Sequence, residues 1–137
     1  MTWPPTTRDD RSAAFFDAAA RAELMLRHCT TCDARLSVDS AGCAFCGGAQ
    51  LDWMAATPGA TLVSWTVVHR APNAAYTDLV PYVLGLVEFA EGPWMYGRIV
   101  NSDPAALSSG LPLRVRFERP ADSEAVPVFE VDHPSVL

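Results

Sequence analysis

All four cysteines of this chain fall within eighteen residues, as Cys29-Thr30-Thr31-Cys32 and Cys43-Ala44-Phe45-Cys46, and none occurs elsewhere in its 137 residues. No other feature restricts the fold as strongly. A Cys-x-x-Cys pair on a tight turn aims two thiolates at one point while turn amides stabilise the sulfur charge, and two such pairs complete a tetrahedron. The ten-residue spacer is shorter than the about fifteen to twenty residues common between paired knuckles, yet it is long enough for a hairpin that brings them together. Disulfides and reduced core thiols are the alternatives. The N-terminal "MTWPPTTRDDRSAA" has no apolar run behind a basic segment, so it does not read as a secretory leader, and a cytoplasmic location is expected. In that reducing compartment clustered cysteines favour metal over disulfides.

The expected cofactor is therefore one structural zinc on Cys29, Cys32, Cys43 and Cys46. With four thiolates in place no coordination position remains for water or substrate, so the site is closed. The neighbouring His28 is expected to stay outside the ligand set. Gly47-Gly48 permits a left-handed turn after the second knuckle. A module of about 25 residues cannot build a sufficient apolar core, and metal binding on the order of 10 kcal/mol replaces it.

The rest of the chain must fold by ordinary burial. Half its residues are hydrophobic, 19% are charged, and the net charge is −6, with ten arginines and no lysine. Such an acidic chain is poorly equipped to displace counterions from phosphate, which argues against nucleic acid and anionic membranes as partners. Its most apolar window, "VPYVLGLVEFA", is interrupted by Glu88, so no membrane span is expected.

Asp9 or Ser12 is placed to cap a short alanine-rich helix over residues 12–22, with Phe15, Phe16 and Ala19 on one stripe. The helix has little chain beneath it, so Phe15 and Phe16 are expected to remain partly open as a docking surface. "ELMLRHC" alternates as a strand, Leu24 and Leu26 opposing Met25 and Arg27. Beyond "LDWMAATPG" five β-rich runs follow: "ATLVSWTVVHR", "PYVLGLVEFA", "WMYGRIV", "LRVRFER" and "VPVFEV". Their separation by turn residues, one hairpin-short link and one link long enough for a helical turn fit an OB-type barrel. The fold class expected is mostly β with an N-terminal helix, divided as helix 1–22, zinc ribbon 23–53 and five-stranded OB domain 54–137.

The sequence holds no G-x-S-x-G elbow, P-loop, G-x-G-x-x-G or H-E-x-x-H motif, and no catalytic residue is assigned. His69 and Arg70 begin the long stretch "APNAAYTDLVP"; they are either an exposed strand end or a contact for an anionic ligand or partner. His133 is expected to be solvated. Trp65, Tyr82, Trp94 and Tyr96 could form a stacking platform, but the β half sets five arginines against nine carboxylates. Core or interface positions fit that balance better.

Taken together, "FFDAAARAEL", "CTTC", "CAFC", "LVSWTVVHRAP", "PYVLGLVEFAEGP" and "GLPLRVRFE" resemble the acyl-CoA-associated family catalogued as domain of unknown function number thirty-five. The resemblance spans residues 12–131. Asp33 stands where that family usually has glycine, and "SVDSAG" replaces a proline-rich spacer. The resemblance implies an N-terminal helix, a rubredoxin-like zinc ribbon and an OB fold, acting as a non-catalytic partner of thiolase-superfamily enzymes. These include acetyl-CoA acetyltransferases and sterol-carrier-protein-type thiolases that work as aldolases on steroid side-chain CoA thioesters. The implied assembly is a heterotetramer with the acyl-CoA thioester at or near the shared interface, where His69 and Arg70 are the candidate contacts. The alternative is a free-standing OB module binding acyl-CoA or nucleic acid.

Overall fold

The computed structural model describes residues 3–132; His133 lies outside them. Helix α1 spans Ala13–Ala19. Ser12 occupies its N-cap position without a side-chain cap bond. Instead the Asp9 carboxylate accepts the Ser12 amide and hydroxyl, each at 2.9 Å, so Asp9 fixes the first turn. The helix stops short of the expected residue 22. Ala22 adopts φ +61° and the Glu23 amide bonds the Ala18 carbonyl at 3.0 Å, a left-handed C-terminal turn made without glycine.

The chain then enters β1 (Met25–Cys29), which pairs antiparallel with both β2 (Arg35–Leu36) and β3 (Leu51–Ala55) in the order β2-β1-β3. Leu24 and Leu26 are buried while Met25 and Arg27 are half-buried, the alternation that the sequence implies. β3 was not anticipated. Its residues are half-buried or exposed throughout, so they carry little of the apolar alternation by which a strand is recognised.

The remaining strands, β4 (Gly59–Val68), β5 (Tyr82–Phe89), β6 (Trp94–Ile99), β7 (Pro112–Glu118) and β8 (Val126–Val131), close into a barrel ordered β4-β5-β6-β8-β7. They lie on the five expected runs. A register shift between Leu62 and Ser64 bends β4, as a bulge does in small barrels. Closure between β6 and β8 rests on one parallel pair, Ile99 with Phe129. The anticipated turn before the fourth barrel strand is a 3-10 helix at Pro104–Ala106, capped by Asp103.

Leu62, Val83, Val87, Phe89, Ile99, Leu113 and Phe129 fill the barrel, and the same cluster takes in Leu24, Leu26 and Phe15 from the N-terminal part. This corrects the expectation for Phe15, while Phe16 stays partly open. Phe15 is buried, its ring 6.1 Å from Trp53 and 5.2 Å from Phe16; β3 supplies the missing mass. A smaller cluster of Cys29, Leu36 and Cys43 stands apart. Among the described residues no helix is long and apolar enough to cross a membrane.

Candidate metal centre and the barrel face

β1 delivers Cys29 to its end, and the chain reverses at once: the Asp33 amide bonds the Cys29 carbonyl and the Cys29 amide bonds the Ala34 carbonyl, both at 2.9 Å. Asp33 sits at φ +69°. An Asp tolerates this left-handed conformation better than most side chains. The second knuckle repeats the pattern. Gly47 donates to the Cys43 carbonyl and Cys43 to the Gly48 carbonyl, both at 2.8 Å, with Gly47 at φ +76°.

The four sulfur atoms lie within 4.8 Å of one another. Cys29 Sγ is 3.7 Å from Cys46 Sγ, and Cys32 Sγ is 3.5 Å from Cys43 Sγ. Tetrahedral zinc with bonds of about 2.3 Å would set its sulfurs about 3.8 Å apart. The group fits a metal ion, and the four thiols are free rather than paired in disulfides. Backbone amides already point at sulfur: Cys46 N–H to Cys43 Sγ and Gly48 N–H to Cys46 Sγ, each at 3.4 Å. A Cβ on Gly48 would stand 3.2 Å from Cys46 Sγ and 3.7 Å from Cys29 Sγ, so the cradle needs a residue without one.

Turn amides and neighbouring sulfurs set the electrostatics of the cluster. The Cys32 amide draws Cys29 down to about 6, and the Cys46 amide lowers Cys43. Cys32 moves the other way, to about 12, because neighbouring sulfurs led by Cys43 outweigh the lowering by the Ala34 amide. Four thiolates this close repel one another, and a divalent cation removes that penalty. Cys29 and Cys43 are buried and Cys32 and Cys46 exposed, so each knuckle contributes one inner and one outer ligand. His28 is committed elsewhere. Its Nδ1 meets Asp52 at 2.7 Å and its Nε2 meets Asp33, and the two carboxylates, Asp33 first, hold its pKa up.

His69 and Arg70 follow β4 and are exposed, with no side-chain hydrogen bond among the described residues. The four aromatics do not form one platform. Trp65 packs against the barrel cluster. Tyr82 joins Tyr76 and Trp3, whose ring lies 5.2 Å from Tyr82 and 6.1 Å from Tyr76. Trp94 and Tyr96 are 50% and 71% exposed, and with Phe45, 78% exposed, they line a groove of about 830 Å³ between the ribbon and β6. An exposed aromatic grouping of this kind marks an interaction surface.

Two further groupings escaped the sequence reading. The Arg98 guanidinium lies 3.8 Å over the Trp3 ring and also pairs with Glu118. Glu130, buried on β8, accepts from Arg114 at 2.7 Å, Asn101 at 3.0 Å and Arg116 at 3.1 Å. The spacing Arg114-x-Arg116 on one β face was the available signal.

The family model described as the ChsH2 C-terminal OB-fold domain matches residues 53–118. A probable enoyl-CoA hydratase alpha subunit of Thermomonospora curvata is 28% identical over 92% of this chain and 38% of its own length. The 3-oxo-4,17-pregnadiene-20-carboxyl-CoA hydratase alpha subunit of Mycobacterium tuberculosis is 41% identical over 37% of this chain and 16% of its own. The chain thus spans less than two fifths of these curated relatives. Among solved structures the Ltp2–ChsH2(DUF35) aldolase superposes with a TM-score of 0.78 at 27% identity, over 93% of this chain and 98% of the other. The barrel is thus matched in most of its length by the ChsH2 OB-fold family model, and 93% of the chain is similar to a chain of the Ltp2–ChsH2(DUF35) aldolase, a likeness to the DUF35 OB-fold proteins.

Proposed function

We propose that this chain is a non-catalytic accessory subunit of a thiolase-superfamily enzyme acting on acyl-CoA thioesters, with the aldolase of steroid side-chain degradation as the partner it fits best. The observation that carries this reading is the likeness to the Ltp2–ChsH2(DUF35) aldolase, which extends over helix, ribbon and barrel alike. The pregnadiene-carboxyl-CoA name of one relative points to the steroid thioester. The hydratase names are not carried over, because the matches cover 38% and 16% of those proteins.

The chemistry of the chain suits a supporting role. Zinc on Cys29, Cys32, Cys43 and Cys46 would be fully ligated by protein and would lock the two knuckles together. Phe45, Trp94 and Tyr96 form the surface we assign to the partner. The loop from His69 to Pro81, held by a rigid barrel, would meet the CoA phosphates through Arg70 or order the wall of the partner's active site. A heterotetramer, two copies of each subunit about a twofold axis, is the assembly expected by symmetry.

The test compares thioester cleavage by the thiolase-like partner alone, by this chain alone and by the mixture. Activity restricted to the mixture, with both chains co-eluting, supports the reading. Full activity of the isolated partner, or turnover by this chain unaided, refutes it.

A further inference from the structure

The second and third strands of an OB barrel, with the loops joining strands 1–2 and 4–5, form the face on which such barrels commonly take ligands. In this chain those strands are β5 and β6, and the loops are residues 69–81 and 119–125. Leu84 and Arg98 stand directly opposite each other across β5 and β6. With Tyr76, Tyr82, Pro120 and Val126 they line a cavity of about 270 Å³ on that face. The remaining wall comes from residues ahead of the helix: Trp3, Pro4 and Thr6.

Trp3 is held as a ligand would be. The Arg98 guanidinium covers one face of the indole at 3.8 Å, with its plane fixed by Glu118, and Tyr82 and Tyr76 present edge contacts at 5.2 and 6.1 Å. Cation and aromatic edges on a flat group are the elements of ring recognition. The segment that carries the indole is tied to the barrel at Thr6 and Arg8, the latter paired with Glu124. Thr6 is clamped by its amide to Ser123 Oγ at 2.8 Å and by its carbonyl to the Glu124 amide at 2.9 Å. Between that clamp and Trp3 stand Pro4 and Pro5, which have no N–H to give a β ladder. Among the described residues ahead of the clamp, the indole and the half-buried Pro4 make the contacts with this face.

We infer that the β5–β6 face carries a binding site for a planar aromatic ring, kept closed by Trp3, which occupies it as an internal stand-in. The cavity beside Trp3 falls just under the about 300–1,000 Å³ of ordinary ligand sites, and withdrawal of the indole enlarges it. The ring could come from a nucleobase or from an aromatic side chain on an extended segment; both offer a π-face to Arg98. The inference is independent of the accessory-subunit reading, since its test needs no partner.

The test is an amide-resolved NMR titration of the full chain with indole and, separately, with adenosine. In Trp3→Ala, indole should give saturable shifts confined to Tyr76, Tyr82, Leu84, Arg98 and their neighbours. Wild type should bind at least tenfold more weakly, and Ser123→Ala, which loosens the clamp, should fall between. Arg98→Ala added to Trp3→Ala should abolish the shifts. Binding of adenosine as well, strengthened in adenosine 3′,5′-bisphosphate, identifies a nucleotide as the source of the ring; binding of indole alone identifies an aromatic side chain. A folded Trp3→Ala that binds neither probe overturns the site, and wild type binding as well as Trp3→Ala overturns its closure. Should Trp3→Ala fail to fold, the comparison of Ser123→Ala with wild type decides, and equal affinities overturn the inference.

Discussion

Phe129 lies against the bare Cα of Gly97. A methyl group built there would stand 2.5 Å from the Phe129 Cε2 and 2.7 Å from its Cδ2, and Phe129 is fully buried. The strand register explains the contact, because Gly97 directly precedes Arg98 and Ile99, and Ile99 makes the single bridge to Phe129 that joins β6 to β8. Opposite Gly97 across the β5–β6 ladder is Gly85, where a methyl group would stand 2.6 Å from Ile99 Cδ1, so the two glycines make room for the two residues of that bridge.

Gly97→Ala should therefore destabilise the fold. Overpacking a filled core costs about 1–3 kcal/mol, and the ring cannot retreat without opening the β6–β8 seam. Gly59→Ala is the control: its nearest neighbour would be the Leu113 carbonyl at an ordinary 3.9 Å, and its effect should stay within about 0.5 kcal/mol. Urea denaturation of both variants checks this. Equal midpoints would show that the core has slack at Gly97.

Zinc should be present at about one ion per chain in freshly purified protein, measured by elemental analysis, and strong chelators should remove it only with loss of structure. Cys43→Ser should lose the metal. Leu24 and Leu26, on and beside the strand that carries Cys29, belong to the cluster filling the barrel. Disorder in the ribbon is thus passed to the barrel, and the melting transition of Cys43→Ser should be broader and lower throughout. A metal-free preparation with an unchanged melt would refute the metal assignment.

The cysteine cluster and the five barrel strands were legible because each is a local signal: fixed spacing for the first, alternation between turn residues for the second. What escaped depended on distant partners. Phe15 is buried because Trp53, thirty-eight positions on, comes back to cover it. Arg114 and Arg116 counted only as surface charge until the pairing of Arg114 with Glu130 placed them around one carboxylate. Trp3 gave no periodic signal beside two prolines, and its place follows from the closure of a barrel whose second and third strands begin only at Tyr82 and Trp94. Asp33 was readable as a departure from glycine, but its left-handed backbone was not.

Acid should weaken this fold through Glu130. Hydrogen bonds from Asn101, then Arg114 and Arg116, lower its pKa from 4.5 to about 2. A carboxylate whose pKa is depressed by folding contributes stability that is fully present above about pH 4.5 and is lost as pH falls toward about 2. Glu130→Gln should have a lower melting temperature than wild type at pH 7, and the difference should shrink steadily between about pH 5 and pH 2. A gap that stays constant across that range would show that Glu130 acts through packing alone.

The exposed aromatics and the His69–Pro81 loop make separable claims on the proposed complex. Trp94 and Tyr96 project from β6 beside Phe45, and well-packed aromatic anchors at an interface typically contribute about 2 kcal/mol or more. Tyr96→Ala or Trp94→Ala should thus raise the Kd for the thiolase-like partner roughly thirtyfold, leaving kcat intact once the chain is supplied in excess. Arg70 stands at the other end of β4 from the ribbon, exposed in the loop, and a guanidinium there is suited to phosphate rather than to an apolar seat. Arg70→Ala should raise KM for the thioester with the complex fully assembled, again with little change in kcat, because the loop positions substrate or wall and moves no proton. Affinity by calorimetry and steady-state kinetics at saturating subunit separate the two. A Tyr96→Ala variant that binds like wild type removes the aromatic face from the interface, and an unchanged KM in Arg70→Ala removes the loop from the thioester.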